Sequence, residues 1–343
     1  MTPMMSELEA ALAISADDSA YAHIPGRRRF GWYKSGAHAV LDLQIVAKPL
    51  DVENWDEFRK FTRVVELLRA YTIDFRALSN DHAALLRAEI EIGDELSAHF
   101  SRSMISINQG VEANARAQQL ATNFLGAASA FRDRCMSRLS RHFGSDSETA
   151  RKFKEVTSTI HDASFAYRIS YHLRNFAQHN ELPISLVPIN ASRMDDGTMA
   201  ASVAFHLDPP LLLERGKFKS SVAAELAAFG TRKVSLNRIL EEYMVAHRHL
   251  MLTIIGFFAP ALVEMVYYAR EVERVLEIPS GCTPVIWEGD DPAAGPQTQE
   301  RCIMFGFDEM QNALELFSQL DAADFSSAYS NQIEKSLVEG ARD

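Results

Sequence analysis

The nine residues Tyr171-His172-Leu173-Arg174-Asn175-Phe176-Ala177-Gln178-His179 end a long periodic stretch that stops before Pro183. The spacing predicts one helix from Glu148 to about Asn180, because a proline pushes the chain ahead of it out of the helical region. At about 100° of rotation per residue, His161, Ser164, Arg168, Tyr171, His172, Gln178 and His179 fall within roughly 60° of Asn175. Phe165, Ala166, Ile169, Leu173, Phe176 and Ala177 gather on the opposite wall as an apolar stripe for a core. A solvated helix face is normally rich in Glu and Lys, whereas this one carries His, Tyr, Arg and amides. Arg174, Asn175 and His179 together offer a fixed cation, an amide and a titratable base. Those are the groups that RNA cleavage without a metal requires. Imidazole titrates near neutrality and can take the proton of a 2'-hydroxyl. A guanidinium can hold the extra charge of a phosphorane through a two-pronged contact. On an ideal helix Arg174 and His179 diverge by about 140°, so they meet only through an inward-wrapped Arg, a loosened last turn or a second subunit.

The wording Arg174-Asn175-Phe176-Ala177-Gln178-His179, with Leu173 before it and Leu182-Pro183 after it, resembles the active motif of the HEPN superfamily. That motif is an Arg, a short spacer and a His, with Asn, Asp or His usually placed directly after the Arg. The resemblance implies a mainly α fold, an antiparallel helical bundle whose two motifs face each other in a homodimer. It further implies a metal-independent endoribonuclease that uses no cofactor and leaves 2',3'-cyclic phosphate and 5'-hydroxyl ends. His179 would be the general base, Arg174 would stabilise the phosphorane, and Asn175 would orient the phosphate or the Arg. His161, Arg168, Tyr171, His172 and Gln178 on the same wall would contact RNA. Bacterial members are toxin and abortive-infection proteins, so phage defence or growth control is the implied setting, and an antitoxin or regulatory protein is a further partner. The same wall would also suit a catalytically silent module that binds RNA, a nucleotide or a protein, or a helical dimerisation scaffold. A second Arg-to-His spacing, Arg76 to His82, has Ala77 after the Arg and crosses Ser79-Asn80-Asp81, which reads as a helix break.

Charge narrows the partners. The chain of 343 residues has a net charge of -11, which disfavours a general nucleic-acid binder. From Glu264 to Asp343 there are 16 acids and 5 bases, so the remainder is neutral. Between Arg132 and Arg174 there are 9 bases and 5 acids, placing the motif in the most basic region. Three cysteines, Cys135, Cys282 and Cys302, lie far apart; they form neither a disulfide framework nor a metal-ligand pattern, and they fit a reducing cytoplasm. Residues 1–18 carry Glu7 and Glu9 and lack the pattern of a signal peptide. The uncharged run Leu250 to Val263 is shorter than the roughly twenty residues a membrane span needs and reads as a buried core helix.

Along the chain, the patterns divide an N-terminal arm (1–50), a helical bundle carrying the motif (51–182), and a hairpin with further C-terminal helices packed on it (183–343). In the arm, Ser6 to Ile14 is amphipathic and Ala39 to Ala47 suits a strand. Between them Arg27, Arg28 and Arg29 sit beside Phe30, Trp32 and Tyr33, a loop able to hold RNA by charge and stacking or to anchor itself by its Trp. The bundle comprises a helix over 53–78, a second capped at Asn80-Asp81 and running to about 106, a third to Phe143, and the motif helix. Beyond Pro183, Ile184 to Ile189 and Met199 to Leu207 form a hairpin turning at Asp195-Asp196-Gly197. Helices over 209–229 and 234–276 follow, the second kinked at Pro260. Strands over 282–287 and 301–307 and a helix over 309–320 complete the pattern.

Overall fold

A computed structural model describes residues 3–12, 27–35, 41–100, 107–178, 184–187, 192–193, 199–200, 202–289 and 301–304. It is mainly helical, with a few short antiparallel strands. In chain order these are α1 (Pro3–Leu12), β1 (Arg28–Ser35), β2 (Leu41–Pro49), α2 (Val52–Phe100), α3 (Ile107–Phe143), α4 (Glu148–Ala163) and α5 (Phe165–Ala177). There follow β3 (Ile184–Val187), β4 (Ser192–Arg193), β5 (Met199–Ala200), β6 (Ala204–Leu207), α6 (Pro209–Arg215) and α7 (Ser220–Ala228). The last are β7 (Val234–Ser235), α8 (Leu236–Val275), β8 (Thr283–Glu288) and β9 (Arg301–Met304). Spatial contacts divide the chain into two units, Met1–Thr72 with His142–Thr149 and Ile254–Asp321, and Ile73–Arg141 with Ala150–Thr253 and Ala322–Asp343. Both units are discontinuous, so they follow neither the 50/51 nor the 182/183 division drawn from motif and composition.

The first unit is built on an antiparallel sheet in the order β2-β1-β8-β9. Its central pairing sets Arg28 opposite Glu288 and Tyr33 opposite Thr283. Sequence patterns find the strands but not this long-range pairing, which brings the N-terminal stretch to β8. Gly31 is required where β1 passes β2, because a side-chain carbon there would stand 2.5 Å from the Gln44 carbonyl oxygen. Leu50, Trp55, Phe58, Val272 and Ile286 pack as a core under the sheet. Arg28 is 1% exposed, donates from Nε to Glu288 Oε2 at 2.7 Å, and lies 3.7 Å over the Trp55 ring. Arg29 is also buried. The loop expected to offer these two arginines to RNA is a core strand, because Glu288 and the Trp55 face compensate Arg28 inside the fold. At the start of α4, the Glu7 carboxylate accepts from Glu148 N at 2.6 Å, Thr149 N at 3.0 Å and Thr149 Oγ1 at 2.8 Å. An acidic side chain thereby satisfies donors that the first turn of a helix leaves open.

The second unit is helical around an aromatic core. Phe75 meets Phe131 at 5.7 Å between ring centroids, Phe124 meets Tyr243 at 6.1 Å, and Tyr167 meets Tyr243 at 5.3 Å. His247 is fully buried among them, with Nδ1 at 2.8 Å from the Tyr243 carbonyl and Nε2 at 3.1 Å from that of Ala128. Strands β3, β6 and β7 form one small antiparallel sheet and β4 with β5 another. The β3/β6 pairing, Ile184 opposite Leu207, makes the expected hairpin, whose turn lies outside the described residues. The expected helix over 309–320 lies outside them too.

Three helix boundaries differ from the sequence expectation. Ser79-Asn80-Asp81 does not break the chain: α2 runs 49 residues through it. Phe75, Leu78, His82, Leu85, Ala88, Ile92 and Leu96 continue a buried stripe across the polar triplet, and Ser79 Oγ donates back to the Phe75 carbonyl at 2.9 Å. Packing along that stripe outweighs the local capping preference. The helix expected over 209–229 is two, α6 and α7, interrupted by Gly216 in an extended conformation. The motif helix is likewise two, because Ser164 adopts β geometry and its hydroxyl accepts from Tyr167 N at 3.1 Å, capping α5. Among the described residues, α8 is long and apolar enough to cross a membrane, yet half of its apolar window is buried in the fold, as in the core helix of a soluble protein. Pro260 lies inside this single continuous helix.

Candidate functional site

The candidate site is built on α5. Ala166, Tyr167, Ile169, Ser170, Leu173 and Phe176 are its buried face. Four of these were expected on the apolar wall; Tyr167 and Ser170 join them because the break at Ser164 resets the helix relative to α4. The calculated polar wall therefore does not run unbroken from His161 to His179, and Ser164 is fully buried.

Arg174 is half-buried and donates from one terminal nitrogen to Asn175 Oδ1 and Gln178 Oε1, both at 3.1 Å. Both acceptors are neutral amides, and Arg174 makes no ion pair among the described residues. Its electropositive field is thus held in place without being neutralised. The contrast with its neighbours is instructive. Arg168 engages both carboxylate oxygens of Glu225 and donates to the carbonyls of His161 at 2.8 Å and Asp162 at 2.6 Å. It closes the end of α4 onto α5, so its charge serves the fold more than any RNA. Arg134 and Arg138 share Asp74 in the same way.

A second cation reaches the α5 face from α3. The Arg132 guanidinium lies 5.5 Å over the ring of Tyr171, a residue 37% exposed, while also pairing with Asp133. Arg132 and Arg174 both act on the buried Tyr243 hydroxyl: burial and Tyr167 push its pKa up, and the two guanidiniums pull against that rise. The two cations thus converge on one region of α5 and α8. Of the remaining wall residues, His172 is half-buried 5.6 Å from the Phe218 ring, and burial, then Lys219 and His161, lower its pKa. An imidazole so placed is neutral near pH 7 and competent to accept a proton. His161 is partly exposed beside Asp162, with its Nδ1 at 3.2 Å from Oδ1. Gln178 is exposed, and His179 lies outside the described residues.

The structure accordingly joins Arg174, Asn175 and Gln178 into one cluster, with Tyr171 and Arg132 beside it. Arg132, Tyr167, Tyr243 and Lys219 were not singled out from sequence. For Arg132 the excess of bases starting at that residue was the available signal; the other three carry none. No group of three or more His, Cys, Asp or Glu suited to a metal occurs among the described residues. Comparison with protein-family models, with curated proteins and with solved structures finds no match to this chain.

Proposed function

We propose that the chain is a metal-independent endoribonuclease of HEPN type, acting in the cytoplasm as a homodimer in phage defence or growth control. The observation that carries this reading is the Arg174 guanidinium, fixed by two neutral amide oxygens and retaining its charge for a phosphate. A group that stabilises a developing phosphorane must be positioned before the reaction and must not be neutralised by a neighbouring carboxylate. Asn175 supplies the positioning, as the resemblance implies. His179 is the general base, taking the 2'-hydroxyl proton, while the 2'-oxygen attacks the adjacent phosphorus and the 5'-oxygen leaves. Tyr171, with Arg132 over its ring, offers a face on which a base of the RNA can stack.

The test is end-labelled RNA incubated with the purified full-length chain in excess EDTA. Cleavage should persist, leave 2',3'-cyclic phosphate ends, and rise with pH through the imidazole range. Arg174→Ala and His179→Ala should each lower the rate by about a hundredfold or more. Tight RNA binding without cleavage from about pH 5 to about 9, or strict dependence on magnesium, would refute the assignment.

A further inference from the structure

The first unit contains a cavity of about 320 Å³. Its apolar walls are Phe30 and Val46 from the sheet, Leu50 from the link into α2, and Val272, Val275 and Leu276 from the last turns of α8. Its polar lining is Asp51, Asn54, Tyr268 and Glu271. We propose that this cavity is a binding site for a small amine: an apolar body of about one aromatic ring, carrying a primary ammonium group held between Asp51 and Glu271.

Size, surface and charge each contribute. The volume is at the small end of ligand pockets, which run from roughly 300 Å³ upward, so one ring and a short chain fill it. The rings of Phe30 and Tyr268 line it, and an apolar body gains there from leaving water. The ionisable groups lining it are two carboxyls and a phenol, and no Lys, Arg or His is among them. An anionic head would meet like charge, and a neutral head would leave the carboxylates without a cation.

The acidic side is also prearranged. Asp51 Oδ1 accepts from Asn54 N at 2.8 Å and from Asn54 Nδ2 at 2.9 Å, and Oδ2 accepts from Nδ2 at 3.1 Å, so the first turn of α2 fixes this carboxylate. The Tyr268 hydroxyl donates to the Asn54 carbonyl at 3.2 Å. Burial, then Glu57 and Asp51, push the Tyr268 pKa up, which places negative potential at the same end of the cavity. The N-terminus of α2 offsets part of the Asp51 charge. Glu271 also pairs with the exposed Arg274, which does not line the cavity.

Titration of the full chain with 2-phenylethylamine, 2-phenylethanol and 3-phenylpropionate, read by calorimetry, separates the contributions. The amine should bind, the alcohol should bind several-fold more weakly, and the acid should not bind. Asp51→Asn keeps a side chain that can still cap α2 while removing the charge, and Glu271→Gln removes the second. Each should weaken the amine by roughly threefold to fivefold, the range of a partly exposed ion pair, and leave the alcohol unchanged. Val272→Phe, with helix content checked by circular dichroism, should fill the cavity and abolish binding of both. Equal binding of all three probes, no binding of the amine, or an amine affinity unchanged in the Asp51→Asn/Glu271→Gln double variant overturns the proposal.

Discussion

Replacing Glu288 with Ala should destabilise the first unit by about 3 to 5 kcal/mol, the usual cost of leaving one member of a buried ion pair uncompensated. The side chain of Arg28 is 1% exposed and that of Glu288 10% exposed, so water cannot take over the guanidinium once the carboxylate is gone. The Trp55 ring remains beneath Arg28 and offsets some of the loss, about 1 to 2 kcal/mol for a desolvated cation over an aromatic face. Glu288→Gln keeps an acceptor for Arg28 Nε and should lose only about half as much as the Ala variant. Arg28→Met combined with Glu288→Leu removes both charges and puts a thioether against Trp55, so it should return to within about 2 kcal/mol of the parent. All three tryptophans, Trp32, Trp55 and Trp287, belong to the first unit, so tryptophan fluorescence during urea unfolding reports on that unit. With a slope of about 2 kcal/mol per molar urea, the Glu288→Ala midpoint should fall by about 1.5 to 2.5 M. A fall below about 0.3 M with an unchanged slope would show that the pair is solvated in solution, and would refute its role as a buried tie between β1 and β8.

Three further outcomes are expected. Burial holds the His247 imidazole down at about 4 even though both ring nitrogens face carbonyl oxygens. The unfolded chain protonates that residue near 6.5, so stability is complete above about pH 6.5 and falls by about 3 kcal/mol as pH drops to 4. His247→Phe should flatten the acid side of a urea-midpoint profile followed by circular dichroism, and an unchanged profile would show that the ring is protonated in the native state. Glu7→Ala should cost about 1 to 2 kcal/mol by uncapping α4, seen as a lower urea midpoint; a change under about 0.3 kcal/mol would mean that water caps the helix equally well. Mixing Arg174→Ala with His179→Ala should restore part of the cleavage activity if two subunits share one cleft. A mixture as inactive as its parents, after demonstrated subunit exchange, would place each motif's chemistry within a single chain.

The parts legible in the sequence are those fixed by local periodicity. The apolar positions Ala166, Ile169, Leu173 and Phe176 gave the buried face of α5 correctly, and Gly144 to Glu148 marked the turn into α4, where Gly144 has φ of 98°. Local signals failed where a distant partner decides. Ser79-Asn80-Asp81 carries turn chemistry, yet the stripe running from Phe75 past it to Leu85 is packed on both sides and keeps the helix going. Arg28 and Arg29 look like surface residues until Glu288 and Trp55 are brought to Arg28. At the candidate site, Asn175 beside Arg174 was readable because their contact is one residue apart. Arg132 over Tyr171 was not, since it comes from another helix.

The pairing of β1 with β8 has a consequence for how the protein is made. Arg28 and Glu288 are 260 residues apart, and at a synthesis rate of about 5 to 20 residues per second the ribosome takes roughly a quarter of a minute to a minute to bridge them. Throughout that interval β1 can join β2 as a hairpin but lacks its other neighbour, and one row of its backbone donors and acceptors stays unpaired. A growing chain in that condition offers an open strand edge to any other chain nearby. The helical second unit has its residues up to Thr253 in place before β8 emerges. Yield in the cell is therefore tied to the wait of this one strand, and a chaperone that covers β1 early would act on the slowest step of its assembly.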